Sequence, residues 1–238
     1  DSPAALTAAC DRGLVAVRAD LKRLERAKPD SRWLRNYDNL GTRLEDLSNP
    51  LFFMTHVHPD KPMREASEAC ELRWQDFTSS LNQNPRIYRA VRALAPRDAV
   101  ERQLRQELQD GLEDSGVGLP PAQRARAKQL LDKLAALSQQ FERNIRDAGV
   151  KVPFTEGELA GVPEGVWKAA PRDAEGRVLL GVDYPSYLPV MQGAADAGAR
   201  ERMYRAKVNE GGQANIALLG EIARLRREYA QLFGLRSY

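Results

Sequence analysis

Apolar residues recur at every third or fourth position over most of this 238-residue chain. That spacing gathers them on one side of an α-helix, so it predicts a series of amphipathic helices. The pattern is strongest in residues 215–238, where Gly234 provides a helix stop. The apolar stripe of this last predicted helix consists of Ile216, Leu219, Ile222, Leu225, Tyr229 and Leu232. A chain patterned in this way is expected to form an all-α, multi-helix bundle-like domain.

Prolines, glycines and short polar residues mark the ends of the other predicted helices. Ser2 and Pro3 form a cap and first-turn signal, and Pro29 ends the apolar stripe that follows them. The same kinds of signal predict helices over residues 31–56, 85–94, 97–112 and 120–149, with further helices that begin near residues 62, 184, 197 and 214.

Residues 150–183 interrupt the helical pattern. They contain three prolines, several glycines and a short β-rich run, Arg177–Val182. We expect Asp173–Gly176 to form a turn between two short strands, and the capping-box spacing of Thr155 and Glu158 predicts one short helical turn. The sequence thus predicts three parts, which are a helical region over 1–149, a small two-stranded β insert over 150–183 and further helices over 184–238.

The charge and hydropathy patterns exclude two classes of partner. The chain carries 36 basic and 33 acidic residues, a net charge of +3, and its arginines are scattered among Glu and Asp along the predicted helices. Nucleic-acid-binding proteins usually concentrate positive charge on one face, so no nucleic acid is expected. No apolar run approaches the roughly 18 residues that a membrane-spanning helix requires, so no membrane is expected either.

The sequence shows no pattern typical of metal-dependent or nucleophilic catalysis. Its two histidines, His56 and His58, stand near Asp60, which makes three side chains of the kind that bind zinc. We interpret them instead as polar residues at a helix end, because the H-E-x-x-H pattern of helical zinc peptidases does not occur. Glu156 and Glu158 form a pair suited to acid–base chemistry, but helix capping explains them more simply. The sequence therefore assigns no catalytic residue and no metal ligand.

Cys10 and Cys70 are the two cysteines, and each lies on the apolar stripe of a predicted helix. If the first three helices pack up-down-up, the first and third run parallel and bring the cysteines to similar heights. The sequence therefore predicts a disulfide, which favours an oxidising compartment. The alternative is two buried thiols that act as small apolar side chains. The chain starts at Asp1 rather than Met, which indicates either a processed mature protein or a shortened chain. With the disulfide, we expect a periplasmic or secreted location, and a cytoplasmic location is the alternative.

The order of residues in several segments resembles the thimet oligopeptidase family of zinc metallopeptidases, which includes oligopeptidase A and dipeptidyl carboxypeptidase. The resemblance covers most of the chain and is strongest from Leu130 onward. It is carried by Leu137, Phe141-Glu142 and Asn144-Ile145, by Thr155-Glu156, Glu158-Leu159 and Gly161-Val162-Pro163, by Asp183, Pro185-Ser186-Tyr187 and Pro189-Val190-Met191, by Arg200-Glu201, Met203-Tyr204 and Ala206, and by Asn215, Leu225-Arg226, Glu228, Ala230, Leu232, Gly234 and Ser237-Tyr238. An upstream match consists of His58-Pro59-Asp60 with Arg64 and Ala66.

This resemblance implies that the chain is the amino-terminal helical portion of a zinc oligopeptidase, and that it forms one wall of a deep channel for short unstructured peptides. The zinc ion and the catalytic residues would then lie in a carboxy-terminal domain beyond Tyr238. We therefore expect this portion to hold no cofactor and to be inactive alone, with its own catalytic domain and short peptides as partners. The run Ala206–Gly212 departs from the family, where a more basic, arginine-containing stretch is expected. The alternative is a stand-alone helical binding or scaffold module that never had a catalytic half.

Overall fold

A computed structural model describes residues 2–238 of the chain. Within these residues the chain forms ten helices and one two-stranded antiparallel sheet, which confirms the predicted all-α fold with a small β insert. The elements are α1 (Pro3–Arg26), α2 (Ser31–Val57), α3 (Lys61–Asn82), α4 (Pro85–Ala93), α5 (Ala99–Asp114), α6 (Pro121–Asp147), β1 (Lys151–Phe154), α7 (Glu164–Trp167), β2 (Val178–Gly181), α8 (Tyr184–Gly193), α9 (Ala197–Val208) and α10 (Gly212–Leu232). None of the described helices combines the length and apolar character that crossing a lipid bilayer requires.

The chain divides into two compact units whose limits fall inside two helices. Unit 1 comprises the residues up to Leu137 together with Ile222–Tyr238, and unit 2 comprises Ser138–Glu221. Helices α6 and α10 therefore each contribute one part to unit 1 and the other part to unit 2. The predicted division into residues 1–149, 150–183 and 184–238 stays a prediction.

Side-chain caps fix the starts of several helices in unit 1. The Ser2 hydroxyl accepts a hydrogen bond from the Ala5 N–H at 3.2 Å, at the start of α1. Asp98 caps α5 in the same way, with a donor-to-acceptor distance of 2.8 Å. Such caps satisfy N–H groups that a helix cannot pair internally. Because Asp98 is the cap, α5 begins at Ala99 rather than at the predicted Arg97.

Unit 1 has two apolar clusters. The larger cluster involves α1 to α5, and its buried members include Leu14, Val17, Trp33, Leu34, Leu40, Trp74, Phe77, Ile87 and Val91. The indole N–H of Trp33 donates to the Leu24 carbonyl at 3.0 Å, so this buried ring leaves no polar atom unpaired. The smaller cluster joins α6 to α10 through Ala127, Leu130, Leu134, Ile222, Leu225 and Tyr229.

The apolar stripe predicted for the last helix is buried along only part of its length. Ile222, Leu225 and Tyr229, which belong to unit 1, are 6%, 1% and 8% exposed. Ile216 and Leu219, which belong to unit 2, are 61% and 56% exposed. Periodicity predicted the helix correctly, but it does not show which turns of the stripe meet a partner.

The two strands of unit 2 pair in a way that corrects one sequence prediction. They are antiparallel, with Phe154 of β1 opposite Val178 of β2. The predicted turn over Asp173–Gly176 forms, and the Gly176 N–H bonds to the Asp173 carbonyl at 3.0 Å. It does not connect the two paired strands, because β1 lies well before the turn in sequence. Ahead of the turn, Arg172 makes an isolated bridge to Val178.

The capping box at Thr155 and Glu158 forms, but the chain does not continue from it as an α-helix. The Thr155 N–H donates to the Glu158 carboxylate at 2.8 Å, and the Glu158 N–H donates to the Thr155 hydroxyl at 3.4 Å. Backbone N–H groups beyond it bond to carbonyls three residues back, so residues 156–162 form turns where the sequence predicts a helical turn. The short helix α7 begins at Glu164.

Candidate functional site

Two segments that carry the family resemblance meet in unit 2 at Asn215. Its side chain is only 4% exposed. The Asn215 Nδ2 donates to the Phe141 carbonyl at 3.1 Å, and the Asn215 Oδ1 accepts from the Asn144 Nδ2 at 2.8 Å. Burying an amide without partners is unfavourable, so these two bonds stabilise the buried position. Asn215 therefore fastens the start of α10 to the last turns of α6.

Gly211 makes room for this buried amide. Its φ angle is +78°, and a Cβ atom at this position would lie 2.2 Å from the Asn215 Nδ2. No side chain fits at that distance, and the left-handed backbone also favours glycine. Gly211 belongs to the run Ala206–Gly212, which departs from the expected family pattern. In the structure this run ends α9 and leads the chain into α10, next to the buried side chain of Asn215.

A groove of about 260 Å³ opens beside Asn215 in unit 2. Its lining combines apolar side chains with amides and consists of Phe141, Val208, Asn209, Glu210, Gly212, Gln213, Asn215, Ile216 and Leu219. Val208, Ile216 and Leu219 are each more than half exposed. Exposed apolar side chains that cluster in this way are typical of binding surfaces. We call this feature the Asn215 groove.

The charges beside the Asn215 groove are already paired. Glu210 is the ionisable residue of the lining, and its carboxylate lies 2.8 Å from the Lys207 ammonium. The same ammonium lies 5.1 Å from the centroid of the Tyr184 ring, a cation–π contact. Because the carboxylate is held in an ion pair, the groove offers an amphipathic surface, which suits binding better than acid–base chemistry.

The carboxylate pair at Glu156 and Glu158 serves the structure of unit 2. Glu156 lies 2.6 Å from the Arg172 guanidinium. Glu158 accepts from the Thr155 N–H and lies 2.7 Å from Arg202, and these contacts hold the pKa of its carboxyl below the ordinary value, the Thr155 bond most strongly. These contacts agree with the interpretation that Glu156 and Glu158 serve the local structure and not acid–base chemistry.

His56 and His58 have different surroundings in the structure. His56 is exposed on α2, whereas the His58 Nδ1 accepts a hydrogen bond from the Asp60 N–H at 3.1 Å. Among the residues that the structure describes, no three His, Cys, Asp or Glu side chains are grouped so that they could hold a metal ion. These residues therefore do not fit the three or four ligands of a zinc site.

The structure joins Cys10 of α1 and Cys70 of α3 by a disulfide. Their Cα atoms lie 6.0 Å apart, a usual separation for bridged cysteines, and both residues are buried in the larger cluster of unit 1. The oxidised state of this pair in solution stays a prediction.

The close approach of two glycine backbones was not predicted from the sequence. Gly161 has a φ angle of +91°, and a Cβ atom there would lie 2.2 Å from the Gly193 carbonyl oxygen. Beside this crossing, the Ala195 N–H donates to the Ala160 carbonyl at 2.9 Å. Gly161 belongs to a segment that resembles the family, but Gly193 lies just outside the next one. The family resemblance therefore singled out Gly161 but not Gly193.

The fold and the Asn215 groove define a helical protein region suited to binding, and comparison with curated proteins gives its relatives. The chain is 32% identical over 222 residues to oligopeptidase A of Haemophilus influenzae, a match that covers 82% of this chain and 32% of that protein. It is 32% identical over 212 residues to oligopeptidase A of Escherichia coli, with 80% and 31% covered. Saccharolysin of Saccharomyces cerevisiae is 26% identical over 224 residues, with 87% and 31% covered. No protein-family model matches the chain.

These matches confirm the family resemblance: the curated homologues of this chain are oligopeptidase A and thimet-like oligopeptidases. The chain spans about a third of the length of these relatives. The relatives that are named oligopeptidases are thus about three times as long as this chain.

Proposed function

We propose that this chain forms part of the substrate-channel wall of a zinc-dependent oligopeptidase that cleaves short peptides. Two observations support this function: the homology to proteins named oligopeptidases, and the Asn215 groove, in which two segments that resemble the family meet. The groove is the observation that carries the proposal. Its exposed apolar side chains, Val208, Ile216 and Leu219, match the apolar side chains of an extended peptide.

The chain alone is proposed to be inactive. A zinc peptidase site needs at least three protein ligands, and the described residues bring no such set together. We therefore assign the zinc ion and the residues that cleave the peptide bond to a separate catalytic domain, which is the proposed partner of this chain. We propose that this wall restricts which peptides reach the catalytic domain.

We propose a cytoplasmic location. One relative from Arabidopsis thaliana is named a probable cytosolic oligopeptidase A and is 28% identical over 253 residues. Another from the same plant is named an organellar oligopeptidase A, chloroplastic/mitochondrial. The periplasmic or secreted location that the cysteines and the start at Asp1 favoured has no support among these names.

Binding of a fluorescently labelled short apolar peptide, followed by anisotropy, tests the role of the Asn215 groove. Replacing Ile216 or Leu219 with Gln removes apolar contact worth about 1–2 kcal/mol, so we expect affinity to fall by about 5- to 30-fold. Val15→Gln is the matched control, because Val15 is 67% exposed on α1 of unit 1 and is not among the residues that line the groove. Equal affinities for all three variants and the unmodified chain would refute the groove as the peptide site.

The stand-alone binding or scaffold module remains the second candidate, since the described residues contain no metal-ligand set. The complete reading frame separates the two functions. An H-E-x-x-H motif encoded after Tyr238 supports the oligopeptidase, and a stop codon directly after Tyr238 supports the stand-alone module.

A further inference from the structure

We propose that the Cys10–Cys70 disulfide is a shielded redox lock on the contact between α1 and α3 of unit 1. The redox conditions during folding decide whether the pair is a disulfide (lock closed) or two thiols (lock open). The folded protein then keeps that state. Cys10 is 0% exposed and Cys70 is 2% exposed. Both lie in the larger apolar cluster, among side chains contributed by five helices.

The packing beside the disulfide explains why the lock is shielded. Gly13 follows Cys10 by about one turn of α1, and Trp74 follows Cys70 by about one turn of α3. A Cβ atom at Gly13 would lie 2.8 Å from the Trp74 Cζ2, so the indole occupies the space that a side chain at Gly13 would need. The two helices therefore approach closely just beyond the disulfide, and Trp74 is itself only 3% exposed.

Opening the lock requires a dithiol reductant. One donor thiolate attacks a cysteine sulfur, the protein S–S bond breaks, and a mixed disulfide forms with the other cysteine released as a thiolate. The second donor thiol then displaces the attached cysteine. The protein gains two electrons and two protons as two thiols, and the donor becomes a disulfide. Because the attacking sulfur must reach a buried atom, the reaction waits until α1 and α3 separate.

Shielding also makes the state of the cysteine pair depend on the conditions in which the chain folds. A chain that folds under reducing conditions buries two thiols, and one that folds under oxidising conditions buries the disulfide. In both cases the cluster of unit 1 forms around the pair, and the surrounding reagent no longer reaches it. The two forms differ in the stability of unit 1, and they exchange slowly.

The rate of reduction tests the lock directly. The oxidised full chain is incubated with dithiothreitol, quenched with a maleimide at timed intervals, and the labelled thiols are counted by mass spectrometry. We expect reduction of the folded chain to be slower by about a hundredfold or more than reduction in denaturant. Equal rates in the folded and denatured chain would overturn the proposal.

A glycine pair provides the matched variants. Gly13→Ala forces the Trp74 ring aside, so we expect faster reduction by about tenfold or more. Gly41→Ala on α2 is the control, because a Cβ atom there meets nothing within 4 Å, and its rate should equal that of the unmodified chain. A folded Gly13→Ala variant that is reduced as slowly as the Gly41→Ala variant would contradict the shield.

Thiol labelling gives a second measurement that needs no variant. The unmodified chain is refolded with both cysteines reduced and then treated with a maleimide. We expect Cys10 and Cys70 to react more slowly than in denaturant, again by about a hundredfold or more. Labelling as fast as in the denatured chain would show that folding does not shield the pair, and the proposal would fail.

Discussion

Asn144 and Asn215 stand 71 positions apart in the chain and share a hydrogen bond of 2.8 Å inside unit 2. The bond connects the end of α6 to the start of α10, and a second bond connects Asn215 to the Phe141 carbonyl. Both asparagines belong to segments that resemble the oligopeptidase family. The Asn215 groove lies beside this contact, and its lining includes both Phe141 and Asn215.

Removing the buried amide should destabilise the protein. Asn215→Ala leaves the Asn144 amide and the Phe141 carbonyl without their partner, which costs about 1–3 kcal/mol of unfolding free energy. Urea unfolding followed by circular dichroism measures the change. Asn39→Ala, at an exposed position of α2, is the control and should have a much smaller effect. Equal changes for the two variants would show that the amide contributes nothing beyond an exposed asparagine.

Two glycines with similar backbone angles should differ sharply in their tolerance of alanine. Gly161 and Gly176 have φ angles of +91° and +79°, so both substitutions impose backbone strain of about 1–2 kcal/mol. A Cβ atom at Gly161 would also lie 2.2 Å from the Gly193 carbonyl oxygen, whereas at Gly176 it meets nothing within 4 Å. Gly161→Ala should therefore lower the unfolding free energy by about 1–3 kcal/mol more than Gly176→Ala. Similar losses for both variants would mean that the crossing relaxes easily.

Acid should weaken the link between the start of α2 and α5 through Glu101. The Arg97 guanidinium, 2.6 Å from this carboxylate, and the Arg97 N–H, at 2.9 Å, lower the pKa of Glu101 to about 2, and the Ser31 hydroxyl adds a bond of 3.1 Å. Because the folded-state pKa lies below the unfolded value, this stabilisation is present above about pH 4.5 and is lost as the pH falls towards 2.

Urea unfolding at pH 5 and pH 3 measures this dependence on Glu101. The unmodified chain should lose stability between the two pH values, and Glu101→Gln should reduce that loss because the variant cannot titrate there. Glu45→Gln, at an exposed carboxylate of α2, should leave the loss unchanged. The assignment is wrong if Glu101→Gln shows the same pH dependence as the unmodified chain.

The cysteine pair should stabilise unit 1 when it is oxidised. A disulfide that closes a loop with a sequence separation of 60 restricts the unfolded chain and is worth about 4 kcal/mol in the chain-entropy treatment. Protein folded under oxidising conditions should show no free thiol when denatured without reductant, and its unfolding midpoint should exceed that of Cys10→Ala/Cys70→Ala. Two free thiols in the denatured, unreduced protein would contradict the disulfide.

The helices of this fold could be predicted because periodicity and caps act locally. Ser2 with Pro3 marks the start of α1, and Pro29 closes the region where that helix ends. Both signals involve only a few neighbouring residues, so one sequence is enough to find them. The pairing of Cys10 with Cys70 depended on an assumed up-down-up packing of the first three helices. The structure brings their Cα atoms to 6.0 Å, and the disulfide in solution stays a prediction.

The rest of the fold depends on contacts between distant segments, which one sequence does not reveal. Strand β1 contains Pro153, which argues against a central strand, but a two-stranded sheet has only edge strands and tolerates proline there. The sequence likewise placed Asn144 and Asn215 in separate segments without indicating that they meet. The exposed half of the α10 stripe, with Ile216 and Leu219, became a candidate site only when its burial was known.

A peptidase assay with the purified chain tests the central claim most directly. The chain is incubated with zinc and a short chromogenic peptide, while a labelled copy of the same peptide reports binding by anisotropy. We predict saturable binding that Leu219→Gln weakens, together with no hydrolysis above the rate in buffer with zinc. Saturable hydrolysis that a chelator abolishes would contradict the account, because this chain would then contain the catalytic centre assigned to its partner domain.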